Sequence, residues 1–198
     1  MSPVRQYRQS ICPGKRAALT SFKKMLEIRH PTLDDAVPLL QFEVDNRAWF
    51  ERWVQARDDS YYSIESVRNA IAAATSDARN DRAYQHLLKQ DGVIVGRVNL
   101  TGVVRPYFSK ASLGYRIGER FAGLGYASQA VRLVLRTALV DLDLWRIEAQ
   151  VRVDNQASSR VLERNGFATY GISRRSMQFH GTWHDQIHYE RHLDGATI

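Results

Sequence analysis

The pattern of apolar and polar residues predicts two strands in the middle of the chain, with a helix between them. Residues from Ala111 to Ile117 alternate between apolar and polar, which is typical of a strand with one buried face. A helical pattern opens at Tyr126, and a second alternating run extends from Leu144 to Val153. The apolar face of that run carries Trp145, Ile147, Ala149, Val151 and Val153, and the polar face carries Arg146, Glu148, Gln150 and Arg152.

Helices and a short strand are predicted before this centre. The strand lies near residues 26–30 and is followed by a helix that Thr32 caps. Another helix spans residues 63–74, and a polar loop follows at residues 76–82. The buried side of the first helix carries Ala36, Leu39, Leu40, Phe42 and Val44.

Two hairpins complete the predicted sheet. The first joins residues 83–89 to residues 93–104 through a turn at Asp91-Gly92. Gly96 interrupts its second strand and predicts a bulge or a close backbone contact. The other hairpin joins residues 174–179 to residues 183–191 at His180-Gly181. No repeat or linker divides the 198 residues, so a single folded domain is expected.

A glycine turn, Gly123-Leu124-Gly125, lies between the first central strand and the helix that begins at Tyr126. The first N–H groups of a helix have no partner within the helix, and the helix dipole favours negative charge there. Glycine lets the backbone approach an anion closely. The turn therefore predicts a phosphate site, although an ordinary tight turn explains these glycines equally well. The residues that follow, Tyr126-Ala127, do not fit the Walker pattern, and two glycines are too few for a dinucleotide fingerprint.

The order of these segments resembles the GNAT acyl-CoA N-acetyltransferases, and in particular their RimJ/RimL-type branch of ribosomal-protein alanine N-acetyltransferases. The resemblance covers roughly residues 25–193. It is carried by the strand and glycine turn, and by a helix that starts with Asn155-x-x-Ser158 and closes with Asn165-Gly166-Phe167. Segments at residues 99–105, 113–115, 146–149, 153–158 and 181–185 agree with it as well.

The resemblance implies an α/β (α+β) GNAT fold, in which helices flank a mixed, mainly antiparallel sheet whose central parallel strand pair splays apart. It also implies transfer of an acetyl group from acetyl-CoA to a primary amine, by direct attack in a ternary complex. The preferred acceptor in this branch is the N-terminal α-amine (Ala or Ser) of a ribosomal protein. The implied cofactor-binding residues are Tyr115, Arg116, Ile117, Gly123, Leu124, Gly125, Tyr126, Ala127, Ser128 and Asn155.

The residues for acid and base chemistry depart in part from the family pattern. The superfamily often has a glutamate at the position of Gln150, but an amide cannot accept a proton at neutral pH, so Gln150 is expected to position the substrate. A base acting through water is expected at Glu148, then Glu43, then Asp185. Ser158 stands where RimL-type proteins have a serine near the thioester sulfur, and its hydroxyl is expected to donate a proton or to order the site. Each residue also has a structural explanation, as an ion-pair partner or a helix cap.

Acceptor binding is assigned by the same resemblance to the first two helices. The expected substrate-binding residues there are Asn46, Glu51 and Trp53, together with Gln150 on the second central strand. Trp53 is explained equally well as core filling, and Glu43 and Glu51 as exposed helix charges. Ala122 replaces the Gln or Arg that usually opens the family turn, which removes a side chain but no backbone donor.

Composition and charge are consistent with a globular domain that attracts anions. The net charge is +7, with 44% hydrophobic and 25% charged residues. Residues 1–24 contain basic residues and no acidic ones, and they predict a mobile basic tail before a domain at residues 25–194. Such a tail suits weak contact with RNA and is not a secretory signal. No apolar run is long enough to cross a membrane, so a membrane partner is not expected.

Cysteine and histidine usage argue against a metal site. Cys12 is the single cysteine, which excludes an internal disulfide and fits a cytoplasmic protein. His184, His188 and His192 share a strand face but would be spread over about 27 Å, so no metal is expected. Two other functions remain open: an acetyltransferase for a small amine such as an amino acid, polyamine or antibiotic, and a catalytically silent ribosome- or RNA-binding factor.

Overall fold

A seven-stranded sheet forms the centre of the computed structural model, which describes residues 26–194. The predictions for Cys12 and for the tail at residues 1–24 lie outside the described residues. The strand order is β1-β2-β3-β4-β5-β7-β6, and every neighbouring pair is antiparallel except β4 and β5. The strands are β1 (Leu26–Arg29), β2 (Ala83–Gln90), β3 (Val93–Val104), β4 (Lys110–Ile117), β5 (Arg146–Arg152), β6 (Ala168–Phe179) and β7 (Thr182–His192). This architecture confirms the predicted mixed, mainly antiparallel sheet.

Five helices cover the two faces of the sheet in the described part of the chain. They are α1 (Ala36–Asp45), α2 (Arg47–Phe50), α3 (Ile64–Arg79), α4 (Tyr126–Val140) and α5 (Gln156–Arg164). Successive residues of a strand point to opposite faces, and the neighbours Leu87 and Leu88 of β2 accordingly belong to different cores. Leu87 packs with α1, α2 and α3, whereas Leu88 packs with α4 and α5.

The first helices follow the predicted pattern with two corrections. Thr32 and Asp35 form a capping box before α1, whose buried side includes Leu39 and Phe42. Val44, predicted on that side, is 47% exposed because it falls on the solvent-facing side of the last turn. Helix α3 continues to Arg79, so the predicted loop at residues 76–82 is shorter than expected. The last turn of α3 is polar and exposed to solvent. It therefore carries no apolar periodicity from which the sequence could have predicted a helix.

The parallel pair β4 and β5 separates after a short stretch of pairing. The paired residues are Lys110 with Arg146, Ala111 with Ile147, and Ser112 with Glu148. Strand β4 then continues to Ile117 and β5 to Arg152 without further pairing between them. The predicted splayed pair is therefore confirmed, and it leaves backbone groups of β4 facing a gap.

Both predicted hairpin turns are present, and Gly96 makes a close contact. Asp91-Gly92 joins β2 to β3, and His180-Gly181 joins β6 to β7. A register shift lies opposite Gly96, between Leu88 and Lys89. A Cβ atom added at Gly96 would lie 2.8 Å from the carbonyl oxygen of Arg116, so only glycine lets β3 pack this closely on β4. The end of β4 is thereby fixed where the gap opens.

Candidate functional site

The turn before α4 has the geometry of an anion site. Gly125 is the N-cap residue and has a φ of 83°, in the left-handed region that favours glycine. No side chain caps this end of α4, and its first turn contains no acidic residue. The amide groups of Tyr126, Ala127 and Ser128 therefore remain available to a ligand, as expected for the start of a helix.

A cavity of about 440 Å³ extends from this turn along the end of β4 to α5. Its walls come from α2 and the segment after it, from the end of β4, from the turn, from the first turn of α4, and from α5 over its whole length. The lining residues are Trp49, Phe50, Trp53, Val54, Tyr115, Arg116, Ile117, Phe121, Ala122, Gly123, Gly125, Tyr126, Ala127, Ser128, Asn155, Ala157, Ser158, Arg160, Val161 and Arg164. All expected cofactor-binding residues are among them except Leu124, whose side chain is 63% exposed at the turn.

Two hydroxyl groups meet where the cavity lies between β4 and α5. The Tyr115 hydroxyl lies 2.7 Å from Ser158 Oγ, within hydrogen-bonding distance. The Asn155 side chain accepts a hydrogen bond from the Ser158 amide at 3.1 Å, so Asn155 caps α5 while the Ser158 hydroxyl is left to Tyr115 and the cavity. Burial raises the pKa of Tyr115 to about 12. The phenol therefore stays protonated and can donate at neutral pH.

The expected bases do not line this cavity. Glu148 pairs with Lys110 at 3.1 Å and with Arg146 at 2.7 Å, and its side chain is 15% exposed. Asp185 accepts a hydrogen bond from the Arg175 amide at 2.8 Å, near the hairpin. Gln150 is exposed on β5 opposite His188. These contacts engage both carboxylate oxygens of Glu148 and one of Asp185, which suits structural roles better than proton transfer.

Glu43 has an environment that its position in α1 did not indicate. Its side chain is 1% exposed and pairs with Arg97 at 2.5 Å, with Arg57 at 3.2 Å and with Arg116 at 3.5 Å. The interpretation of Glu43 as an exposed helix charge is therefore wrong. Arg97 contacts one carboxylate oxygen and Arg57 and Arg116 contact the other, so both oxygens of Glu43 are engaged in ion pairs.

Of the four expected acceptor-binding residues, Trp53 lines the cavity, whereas Asn46, Glu51 and Gln150 do not. Trp53 lines it and lies under the Arg152 guanidinium, 5.3 Å from its ring centre. Asn46 accepts a hydrogen bond from the Glu119 amide at 2.8 Å and so ties α1 to the segment after β4. Glu51 pairs with Arg47 at 2.8 Å. Asn46 and Glu51 thus make contacts outside the cavity, Asn46 with the segment after β4 and Glu51 with the start of α2.

Several lining residues were missed from the sequence. Arg160 and Arg164 are exposed on α5 and face the same cavity as the turn. Their spacing of four residues places both on one helical face, and this signal was available in the sequence. Trp49 and Phe50 line the opposite wall, and Trp49 Nε1 donates a hydrogen bond to the Ile117 carbonyl at 3.1 Å. That bond joins α2 to the end of β4.

Residues 26–194 contain neither a candidate metal site nor a candidate membrane-spanning helix. No group of three or more His, Cys, Asp or Glu side chains in that range could hold a metal ion. No helix in the same range is long and apolar enough to cross a membrane.

Comparisons with known proteins agree on one family. Residues 25–168 match the acetyltransferase (GNAT) domain. The chain is 34% identical to the probable N-acetyltransferase YjcK of Bacillus subtilis, over 82% of this chain and 91% of that protein. It is 25% identical to the [ribosomal protein uS5]-alanine N-acetyltransferase of Escherichia coli, over 91% and 92% of the two chains. A solved structure of RimL, a ribosomal L7/L12 alpha-N-protein acetyltransferase in complex with coenzyme A, superposes with a TM-score of 0.79 at 26% identity, covering 87% of this chain and 96% of that one.

Proposed function

The chain belongs to the GNAT acetyltransferase family and is an acetyl-CoA-dependent N-acetyltransferase, and from this premise we propose that it acetylates the N-terminal α-amine of a protein. The proposed acceptor begins with Ala or Ser and belongs to a ribosomal protein. Support comes from the E. coli relative, named for the alanine of ribosomal protein uS5, and from RimL, named for ribosomal L7/L12.

We assign the diphosphate of acetyl-CoA to the turn before α4. The amide groups at Tyr126, Ala127 and Ser128 would donate to it, and Arg160 and Arg164 would supply positive charge from α5. The pantetheine arm would then lie along the edge of β4 that faces the gap, beyond the last residue paired with β5, Ser112. A backbone amide of this edge would polarise the thioester carbonyl.

The proposed reaction is a direct attack on the thioester. The neutral amine of the acceptor forms a bond to the carbonyl carbon, the carbonyl oxygen carries the transient negative charge, and the carbon–sulfur bond then breaks. Ser158 is assigned to donate a proton to the leaving thiolate, and Tyr115 to hold Ser158 in place and to share the same hydrogen bond. The proton lost by the amine passes to water, since none of the lining residues is a carboxylate, and water returns a proton to Ser158 after the thiol has formed.

The observation that carries the proposal is that a single cavity joins the start of α4 to the Tyr115–Ser158 pair along the end of β4, where that strand no longer pairs with β5. The test measures release of coenzyme A with acetyl-CoA and peptides beginning with Ala or Ser, and locates the acetyl group by mass spectrometry. We expect acetylation at the α-amine. Release with small amines alone would reject the protein acceptor. No release with either class, despite retained affinity for RNA, would reject enzymatic activity.

A further inference from the structure

Positive charge exceeds negative charge at one wall of the cavity. Three arginines, Arg57, Arg97 and Arg116, surround the single carboxylate of Glu43. Arg97 is fully engaged, because it also donates to the Gln85 side chain at 2.8 Å and is buried. One carboxylate offsets one guanidinium, so the cluster retains a surplus of about two positive charges, carried by the partly exposed side chains of Arg57 and Arg116. Uncompensated charge of this kind is costly unless an anion approaches it.

Arg116 is the member of this cluster that faces the cavity. Within residues 26–194, its one ion pair is the 3.5 Å contact with Glu43, which is longer than a good charge-assisted hydrogen bond. The guanidinium also lies over the Phe50 ring, 5.2 Å from the ring centre. Its side chain is 26% exposed and lines the cavity, so guanidinium N–H groups of Arg116 are available to a ligand there. Burial lowers the pKa of Arg116, and the neighbouring Arg57 and Arg97 act in the same direction.

The position of Arg116 separates it from the proposed phosphate site. Tyr115 and Arg116 are consecutive on β4 and therefore point to opposite faces of the sheet. Tyr115 points to Ser158 and α5, on the face of Arg160 and Arg164. Arg116 points to α1 and α2, where Phe50 and Trp53 form the other wall. The resemblance implied that Arg116 binds the cofactor; in this arrangement only its backbone on β4 would do so, and its side chain is placed for the acceptor and not for the diphosphate.

We propose that the acceptor carries a carboxylate close to its reacting amine and that Arg116 binds this group. The inference rests on the proposed acetyl transfer and specifies the acceptor class. A planar guanidinium fork with free donors matches a carboxylate in two parallel hydrogen bonds. Two sources supply this chemistry: an acidic side chain at the second or third residue of a protein N-terminus, or the free carboxylate of a small amine.

The experiment compares acceptors that differ only in this charge. One arm uses Ser- and Ala-initiated peptides with Asp or Asn at the second and third residues. The other arm uses amino acids and their carboxamides. In the wild-type protein we expect kcat/KM to be about tenfold or more higher for the charged member of the matched pair. Equal values in both arms would overturn the proposal.

Arg116→Gln is expected to abolish this preference by raising KM for the charged acceptor, while KM for acetyl-CoA stays within about twofold of wild type. Arg116→Lys keeps the charge without the fork and is expected to restore part of the preference. Arg136→Gln, at an exposed arginine of α4 outside the cavity, removes one positive charge as a control and should keep the full preference. Circular dichroism and thermal melts identify any variant that fails to fold.

The outcomes separate this inference from the proposed protein acceptor. A preference in the peptide arm that Arg116→Gln removes supports both. A preference confined to the small-amine arm supports the carboxylate site and rejects the protein acceptor. A preference that persists in Arg116→Gln, or a raised KM for acetyl-CoA in that variant without a change in acceptor preference, overturns the role of Arg116.

Discussion

Ser158 and Tyr115 share one hydrogen bond of 2.7 Å between their hydroxyl groups. The acidity of each hydroxyl group decides which of them donates in this bond. Burial raises the pKa of Tyr115 to about 12, so the phenol remains a donor throughout the neutral range. When it donates to Ser158 Oγ, the serine hydrogen is free to point into the cavity. A developing thiolate is a stronger acceptor than a neutral oxygen, so this arrangement favours the leaving group over the starting thioester.

Ser158→Ala is accordingly expected to lower kcat about 100-fold, with KM for acetyl-CoA little changed. Tyr115→Phe should lower kcat less, about tenfold, because it removes the support and leaves the serine hydroxyl. The measurement is steady-state release of coenzyme A with each variant and with the double variant. The double variant should resemble Ser158→Ala, since the two residues act as a unit.

Ser159→Ala serves as the control, because Ser159 lies beside Ser158 on α5 but does not line the cavity. Its kcat should equal that of the wild-type protein. Additive losses in the double variant would contradict the shared role of Tyr115 and Ser158.

Glu43 illustrates a residue whose main effect is on stability. Glu43→Gln leaves three arginines around a neutral amide in a buried site, so we expect the free energy of unfolding to fall by about 3–5 kcal/mol. Chemical denaturation measures it directly. Glu27→Gln, at an exposed position of β1, should change stability by less than about 0.5 kcal/mol. A Glu43→Gln variant that retains wild-type stability but loses activity would indicate a catalytic carboxylate instead.

At the scale of elements, period and turn chemistry predicted the framework well. Alternation identified β4 and β5, and both Asp91-Gly92 and His180-Gly181 marked hairpin turns. The glycine turn and the Asn-x-x-Ser helix start are likewise local features of the sequence. Residue contacts across the fold are not local. Glu43 meets Arg97, 54 residues away, and no spacing rule connects a helix residue to a particular strand residue at that separation.

Because only local features can be read from the sequence, the cofactor side of the candidate site was predicted and most of the surrounding wall was not. The proposed cofactor residues are nearly contiguous at the end of β4, the turn and the start of α4, so one motif identifies them together. The surrounding wall is assembled from α2 and α5, which are far apart in sequence, and Trp49, Arg160 and Arg164 were missed. The residues named as bases were chosen by analogy with the family, and their ion pairs depend on neighbours that only the folded chain defines.

The turn before α4 is tested at this scale by Gly125→Val. A β-branched side chain at a φ of 83° strains the backbone and obstructs approach of a phosphate, so KM for acetyl-CoA should rise about tenfold or more. Gly92 has the same φ of 83° in the β2–β3 hairpin and has nothing within 4 Å of an added Cβ. Gly92→Val therefore carries the same backbone cost without touching the cavity.

Both variants should lose similar stability in thermal unfolding, and only Gly125→Val should weaken acetyl-CoA binding. Calorimetric titration with coenzyme A distinguishes them independently of turnover. Wild-type affinity in folded Gly125→Val would show that the diphosphate lies elsewhere.

The net charge of +7 favours association of the protein with anionic partners such as RNA. The basic segment at residues 1–24 was predicted to contact RNA, and this remains a prediction. Deletion of residues 1–22 should reduce ribosome co-sedimentation and flatten its dependence on salt, because fewer counterions are released. Turnover of a short peptide should be unaffected. A co-sedimentation profile identical to that of the full chain would reject a role for this segment.

The free energy of unfolding of the domain is also expected to fall at acid pH, because one buried histidine is protonated more readily in the unfolded chain. His86 is 3% exposed in the sheet, and its ring centre lies 4.5 Å from that of His30. Burial, with a smaller contribution from His30, lowers the pKa of His86 from 6.5 to about 4. Between these two values the unfolded chain binds a proton that the folded protein does not, so stability is complete above about pH 6.5 and falls as the pH approaches 4. The loss attributable to this residue is about 3 kcal/mol at the acid end of the window.

His86→Gln should remove this component, because glutamine does not titrate. Its stability at neutral pH is expected to be lower than that of the wild-type protein, since the buried ring is lost, but the decrease between pH 6.5 and 4 should be smaller by about 3 kcal/mol. Leu88→Ala, which removes a buried and non-titrating side chain from the same strand, is the control and should lose stability by the same amount at every pH. The free energy of unfolding in urea, measured at several pH values, gives the slope for each protein. Parallel slopes for the wild-type and His86→Gln proteins would show that His86 does not titrate in this window, and the acid sensitivity would then belong to the paired carboxylates.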